Sequence, residues 1–168
     1  MLDYICKPFS SDTTEGNAAR ALLRSLLITR FGTDGEALFA SLHKNADGKP
    51  LLGGELFVSL SHSHGVAAAA ISDRPVGIDI ELCSPLSDVN RRVLDRFFPS
   101  EETEAAKSDL SGVEFCRFWT RREAAFKAFA TEPFFVKDPT EGHADDLLTS
   151  SFYLGEKLFV LSVAGCLK

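Results

Sequence analysis

Several features that would announce a compartment or a common function are missing from this chain of 168 residues. Its cysteines, Cys6, Cys83, Cys116 and Cys166, stand far apart with no C-x-x-C pair, and a domain of this size does not need disulfide staples; reduced thiols in a cytoplasm are the expectation. The opening MLDYICKPFSSD has no basic stretch followed by an apolar one, and VAAAAI at 66–71 is far too short to cross a bilayer, so neither export nor a membrane role is expected. Positive charge is not in excess. The formal net charge of −6 disfavours a general hold on nucleic acid phosphates and confines any anion site to a local pocket. No Walker loop, G-x-G-x-x-G or G-x-S-x-G elbow is present, which removes the common nucleotide-binding and serine-hydrolase readings. Short-period repeats and low-complexity linkers are missing as well.

What is there is a chain with 45% hydrophobic residues, enough for a core shared by one domain or two small lobes. EGNAARALLRSLLITRFG predicts a helix at about 14–31, with Ala18, Leu22 and Leu26 near helical spacing and Gly32 as its C-terminal cap. ALFASLH is ambiguous between strand and helix, and NADGKP after it carries a D-G turn and a proline, hence a loop. LFVSLSHS and VAAAAISD read as strands joined around Gly65, with RPVGIDIEL as the third strand of an antiparallel meander. SDVNRRVLDRFF reads as a helix capped by Ser87, and PSEETEAAKS as a short one capped by Ser100. SGVEFCRFWTRREAAFKAFA reads as a longer helix whose Ser111 and Glu114 match a capping box. SSFYLG and KLFVLSVAG form a closing hairpin. Grouped strands with helices set between them imply an α+β chain.

Three places could carry chemistry. In VGIDIEL at 76–82, Asp79 and Glu81 project from one face of a strand while Ile78 and Ile80 project from the other; an edge strand with a wet acidic face would read the same way. On the long helix, Glu123 and Lys127 lie about 40° apart, one turn from each other, with Trp119 on the same edge. An ordinary i,i+4 ion pair is the plain alternative there. Arg122 falls inside the apolar arc of Phe115, Phe118, Phe126 and Phe129 and so is not ordinary solvated surface. Finally, Ser61 and His62 end an apolar strand at a glycine turn. His43, His64 and His143 read as structural, as lone histidines usually are, and His62 with His64 has the spacing of a zinc pair but no third nitrogen or sulfur ligand at a recognisable interval.

Taken together, SLSH at 59–62, VGIDIE at 76–81 and FWTRREAAFKA at 118–128, with GKP at 48–50 and ARALLR at 19–24, resemble a known family. It is that of the 4'-phosphopantetheinyl transferases, of the type that activates nonribosomal peptide, polyketide and fatty acid synthases. The family pattern is G-[IV]-D-x-E, then roughly forty residues, then W-[ST]-x-[KR]-E-x-x-x-K, and Asp79 and Trp119 stand at that interval. The resemblance implies an α+β fold of two pseudosymmetric lobes, each a small antiparallel sheet packed with helix. Residues 1–82 would carry the SLSH and GIDIE motifs, and residues 83–168 the WTRREAAFK helix. It implies transfer of the 4'-phosphopantetheine arm of coenzyme A to a serine of an apo acyl or peptidyl carrier protein, with Mg²⁺ as cofactor and 3',5'-ADP leaving.

By that resemblance Asp79, Glu81 and Glu123 hold Mg²⁺, and Glu123 or a water bound to the ion takes the proton of the incoming serine. The chemistry agrees, since three clustered carboxylates without a cation raise one another's pKa and a hard cation relieves them. Lys127 would lie against the diphosphate, Lys49, Ser61 and His62 would hold the nucleotide end of coenzyme A, and Arg20 and Arg24 are candidates for its 3'-phosphate. A cytoplasmic monomer is expected. Some residues depart from the pattern: Arg122 stands where lysine is usual, AFATEPFF follows where many members have glycine, and Glu15 sits where a cation is expected. Two other readings remain open, a homologue that binds coenzyme A or a carrier without turnover and an unrelated Mg²⁺-dependent phosphohydrolase. For an acidic carrier, Arg91, Arg92 and Arg96 offer a local basic face.

Overall fold

The computed structural model describes residues 1–130, 134 and 138–165. It opens with a strand that the sequence pattern did not suggest, β1 (Leu2–Pro8), followed by helix α1 (Glu15–Phe31). The Thr14 side chain accepts the Asn17 N–H at 3.3 Å, and Gly32, with φ of 60°, turns the chain out of the helix. The ambiguous ALFASLH is helical to Ala40, in α2 (Thr33–Ala40). The NADGKP loop is held by a two-strand clip, β2 (His43–Lys44) and β3 (Pro50–Leu51). Then come β4 (Phe57–Ser63), β5 (Val66–Ser72), β6 (Val76–Leu82), α3 (Asp88–Phe97), α4 (Ser100–Ser108) and α5 (Val113–Phe129). A single 3₁₀ turn at Ala144–Asp146 leads into the closing hairpin, β7 (Leu147–Leu154) and β8 (Lys157–Gly165).

Ser87 caps α3 as expected, accepting the Asn90 N–H at 3.1 Å. The capping box at α5 is not formed. Gly112 takes the N-cap position with φ of 78°, and Asp109 does the capping, accepting the Glu114 N–H at 2.9 Å. A carboxylate on the preceding turn is a better acceptor than the Ser111 hydroxyl and suits a helix N-terminus. At α4 the N-cap is Pro99, one residue before the expected serine.

The larger correction concerns the meander. β4 and β5 pair as a hairpin, but β6 leaves them and pairs with β8, so the GIDIE motif belongs to the second sheet rather than to the sheet of the SLSH motif. The first sheet has the order β1-β5-β4 and the second β6-β8-β7, both antiparallel throughout. Each is a strand, a helical stretch and a hairpin whose second strand inserts beside the first. β1, α1, β4 and β5 thus correspond to β6, α5, β7 and β8, which is the expected pseudosymmetry of two lobes.

Alternation along the strands builds the layers. Val66, Ala68 and Ala70 on one face of β5 meet Val76, Ile78 and Ile80 of β6 and Phe159, Leu161 and Val163 of β8, forming a core between the sheets. Ala69 and Ile71 on the other face of β5 pack with Leu23 and Leu27 of α1. On the far face of the second sheet, Ala124, Ala125 and Ala128 of α5 cover Leu147 and Ala164. The order of layers is therefore helix, sheet, sheet, helix. The buried stripe of α5 is small-residued rather than aromatic, and Phe115, Phe118, Phe126 and Phe129 are only half-buried at its margins. Close approach explains this: a Cβ at Gly77 would fall 1.9 Å from the Ala124 carbonyl oxygen, so glycine lets α5 lie directly on β6. Among the described residues no helix is long and apolar enough to cross a membrane.

Candidate functional site

β4 and β6 are edge strands of different sheets, and the seam between them is closed by side chains. The N–H groups of Ile78, Ile80 and Leu82 on β6 donate to the hydroxyls of Ser59, Ser61 and Ser63 on β4 at 3.0, 3.2 and 3.2 Å. Both strands advance with period two, so alternate serines meet alternate amides. Ser61 in turn donates to Asp79 Oδ1 at 2.8 Å, and Ser63 to Glu81 Oε2 at 2.9 Å. Asp79 is only 4% exposed, which rules out a wet acidic face.

A second set of hydroxyls pins α5. Ser162 on β8 is the cross-strand partner of Asp79, and its Oγ lies 2.8 Å from Thr120 Oγ1 and 2.9 Å from Thr149 Oγ1. With Thr120 anchored there, Glu123 and Lys127 follow along α5 above β6. Lys127 Nζ donates to Asp79 Oδ1 at 2.7 Å and to the Ile78 carbonyl at 3.2 Å, so its main ion pair is with β6 rather than with Glu123.

The electrostatics are unfavourable for three bare carboxylates. Burial pushes the Asp79 carboxyl up, with the Lys127 ammonium working against it. Burial and then the Asp79 charge push Glu81 up. Burial also raises Glu123; Lys127 opposes this, and Asp79 and Glu81 reinforce it. Asp79 Oδ2 is buried and has no hydrogen-bond partner among the described residues. An orphaned carboxylate oxygen beside two further raised carboxyls is a set of hard donors that suits a divalent cation. As placed, however, no three His, Cys, Asp or Glu side chains among the described residues stand close enough to hold a metal ion.

Two adjoining clefts lead away from Lys127. One, of about 590 Å³, is lined by Asn45, Lys49, Ser59, Phe126 and Lys127. The next, of about 340 Å³, is lined by Arg20, His43, Lys44 and His62, and shares Gly48, Pro50 and Leu60 with the first. Lys49 Nζ donates to the Lys127 carbonyl at 2.8 Å. His62 Nδ1 stands 3.1 Å from Glu15 Oε2. Two expected ligand contacts are not placed there. Ser61 lies on the seam with its hydroxyl committed to β6, because it alternates with the outward His62. Arg24, one turn beyond Arg20, lies against Glu36 instead, donating from Nε at 2.9 Å. A third cleft of about 390 Å³ opens beside Glu81, against Val93, Phe115 and Trp119.

Arg122 is buried as its place on the helix implied. Its guanidinium lies 2.7 Å from Asp138 and 3.5 Å from Glu102, over the ring of Phe98. His43 and His143 serve locally, the first 2.9 Å from the Ser41 carbonyl oxygen and the second stacked on Phe129.

Residues 75–153, which carry β6 and α5, match the family profile described as "4'-phosphopantetheinyl transferase superfamily". That segment belongs to the 4'-phosphopantetheinyl transferase superfamily. Two curated relatives agree. The 4'-phosphopantetheinyl transferase HetI of Nostoc sp. is 36% identical over 121 residues, covering 66% of this chain and 49% of the relative. The 4'-phosphopantetheinyl transferase gsp of Aneurinibacillus migulanus is 32% identical over 122 residues, covering 67% and 48%. The chain thus spans about half the length of the curated relatives it matches. The superfamily segment holds Asp79, Glu81, Glu123 and Lys127 but not Lys49, Ser61 or His62.

Sequence reasoning missed the two hydroxyl sets around these side chains. S-x-S-x-S at 59–63, read against the period-two carboxylates of 79 and 81, was the available signal. Thr120, Thr149 and Ser162 come from three separate elements and have no local pattern.

Proposed function

We propose that this protein is a phosphopantetheinyl transferase that moves the 4'-phosphopantetheine arm of coenzyme A onto a serine of an apo carrier protein. The observation that carries this reading is the buried Asp79 Oδ2, without a hydrogen-bond partner among the described residues, in a group with Glu81 of β6 and Glu123 and Lys127 of α5, within the segment that matches the superfamily. Asp79, Glu81 and Glu123 would hold Mg²⁺, Glu123 turning toward the two strand carboxylates to do so. Bound there, the ion would neutralise diphosphate oxygens.

The chain's own residues supply the rest. Lys127, tethered to Asp79, offers an ammonium to the same oxygens. The clefts carrying Lys49, Arg20 and His62 take the nucleotide end, and the cleft beside Trp119 takes the arm or the incoming serine. The serine oxygen bonds to the phosphorus that bears the pantetheine arm as that phosphorus releases its bridging oxygen. The electron pair leaves on 3',5'-ADP and the serine proton goes to Glu123, which burial suits to accept it. The lobes divide in this reading at Asp73–Pro75, since the next strand pairs with β8. The enzyme acts as a monomer in the cytoplasm, and exposed Arg91, Arg92 and Arg96 of α3 meet the acidic carrier.

One observation favours a second reading. Glu15 engages His62 in the nucleotide cleft, which suits a homologue that binds coenzyme A or a carrier weakly and without turnover. Incubation with coenzyme A, Mg²⁺ and a panel of apo carriers, followed by intact mass, separates the two. A carrier gaining the arm supports the transferase, whereas binding without any mass gain supports the second reading. Phosphate released without a carrier would point to a hydrolase.

A further inference from the structure

We propose that Ser61 and Ser63 are positioning residues that hold the carboxylates of Asp79 and Glu81 in the orientation a divalent cation needs. The proposal rests on the metal-binding reading above. A serine hydroxyl has one proton to give and two lone pairs with which to accept. The Ile80 N–H occupies the acceptor side of Ser61, and the Leu82 N–H that of Ser63, each at 3.2 Å. The hydroxyl protons then point onward, from Ser61 to Asp79 Oδ1 at 2.8 Å and from Ser63 to Glu81 Oε2 at 2.9 Å. His64 Nδ1, 3.0 Å from Ser63 Oγ, fills the remaining lone pair when it carries a proton.

Donors aimed at an ionised carboxylate form the stronger class of hydrogen bond, so each serine fixes the turn of the carboxylate it serves. For Asp79 the consequence is visible: Oδ1 is taken by Ser61 and Lys127, and the buried Oδ2 is left over. The serines belong to the first sheet and the carboxylates to the second, so the site's geometry depends on the seam and not on β6 alone.

The chain contains its own control. Ser59 is the third rung and takes the Ile78 N–H at 3.0 Å, but the position that matches Asp79 and Glu81 in the alternation is Gly77, which has no side chain to orient. Ser59 therefore holds the seam without positioning a ligand.

The test is Mn²⁺ binding to the full chain without coenzyme A, followed by electron paramagnetic resonance and by calorimetry, with thermal unfolding measured in parallel. Partners behind metal ligands typically contribute tenfold to hundredfold in metal affinity, so Ser61→Ala and Ser63→Ala should each raise the Mn²⁺ dissociation constant about tenfold. Ser59→Ala should lower the melting temperature but leave Mn²⁺ binding within about twofold. Ser63→Thr, which keeps the hydroxyl, should restore affinity. Should an alanine variant fail to fold, Ser63→Cys fills nearly the same space with a weak donor and gives the same comparison. Equal Mn²⁺ affinity in wild type and Ser63→Ala, or equal losses in Ser59→Ala and Ser63→Ala, would overturn the positioning role. A wild type that binds no Mn²⁺ at all would instead bring down the metal-binding reading beneath it.

Discussion

The two lobes share one topology yet carry different burdens. In the first lobe the leading strand, β1, has one side paired to β5 and the other without a strand partner among the described residues, and none of its residues is fully buried. In the second lobe the leading strand, β6, occupies the equivalent place but is covered by β4 along its outer edge, and its first five residues are buried. The candidate site appears only where an edge is covered. The carboxylate that β1 does carry, Asp3, is only partly buried and faces the Arg30 guanidinium at 3.5 Å, whereas Asp79 on β6 meets the Ser61 hydroxyl, the Lys127 ammonium and a low-dielectric surrounding. Repeating a fold element therefore does not repeat its chemistry; the neighbour across the edge decides.

The sharpest way to break this comparison is to remove the buried carboxylate. Asp79→Asn keeps the shape but not the charge, and transfer should fall by about three orders of magnitude, the several kcal/mol that cation-assisted charge stabilisation supplies. Asp73→Asn, on the turn between the lobes, should change transfer by less than about twofold, as surface substitutions do. Comparable rates for the two variants in a carrier assay would refute the contrast.

Packing offers the next test. Gly77→Ala drives a methyl into the Ala124 carbonyl and should destabilise the protein by at least about 1–3 kcal/mol. Gly16→Ala, near the start of α1, meets nothing within 4 Å and should be neutral or stabilise by up to about 1 kcal/mol. Urea unfolding of the pair measures the difference.

A smaller effect separates the lobes by pH. The raised carboxyls of Asp79, Glu81 and Glu123 mean that the folded protein binds more protons than the unfolded chain between the ordinary carboxylate pKa of about 4 and the raised values. Stability should thus fall as pH rises through that window. Asp73, held low by the N-terminal ammonium, acts in the opposite sense, adding stability that is lost as pH falls through its lowered value. Melting temperatures taken between neutral and mildly acidic pH should rise on acidification, and less so in Glu123→Gln. A flat profile shared by both proteins would contradict the buried-carboxylate account.

The smallest effect concerns the exposed face of α3. Reversing Arg92 and Arg96 to Glu should raise KM for an acidic carrier and weaken its salt dependence, with KM for coenzyme A unchanged. Identical carrier kinetics at low salt would move the docking face elsewhere.

How much of this was legible in the sequence follows from the range over which each signal acts. Gly32 and Ser87 mark helix ends through contacts only a few residues long, and they were read correctly. The period-two carboxylates and the Glu123–Lys127 spacing pointed to β6 and α5, the two elements that carry the candidate site. Strand partnership was not legible. β6 follows β5 after a short turn, so a meander was the natural reading, and only burial against β8 decides otherwise. Nor was it legible that Lys127 would turn to Asp79 and that Arg24 would be taken by Glu36, since these pairings join segments far apart in the chain.

The serine seam has a consequence for behaviour in a crowded solution. An uncovered strand edge is a template on which another chain can add a strand and begin to aggregate. Here Ser59, Ser61 and Ser63 satisfy three amides of one such edge without merging the two sheets into one. Each of the two strands covers the other, so the same hydroxyls that shape the pocket also leave less edge open to a passing chain.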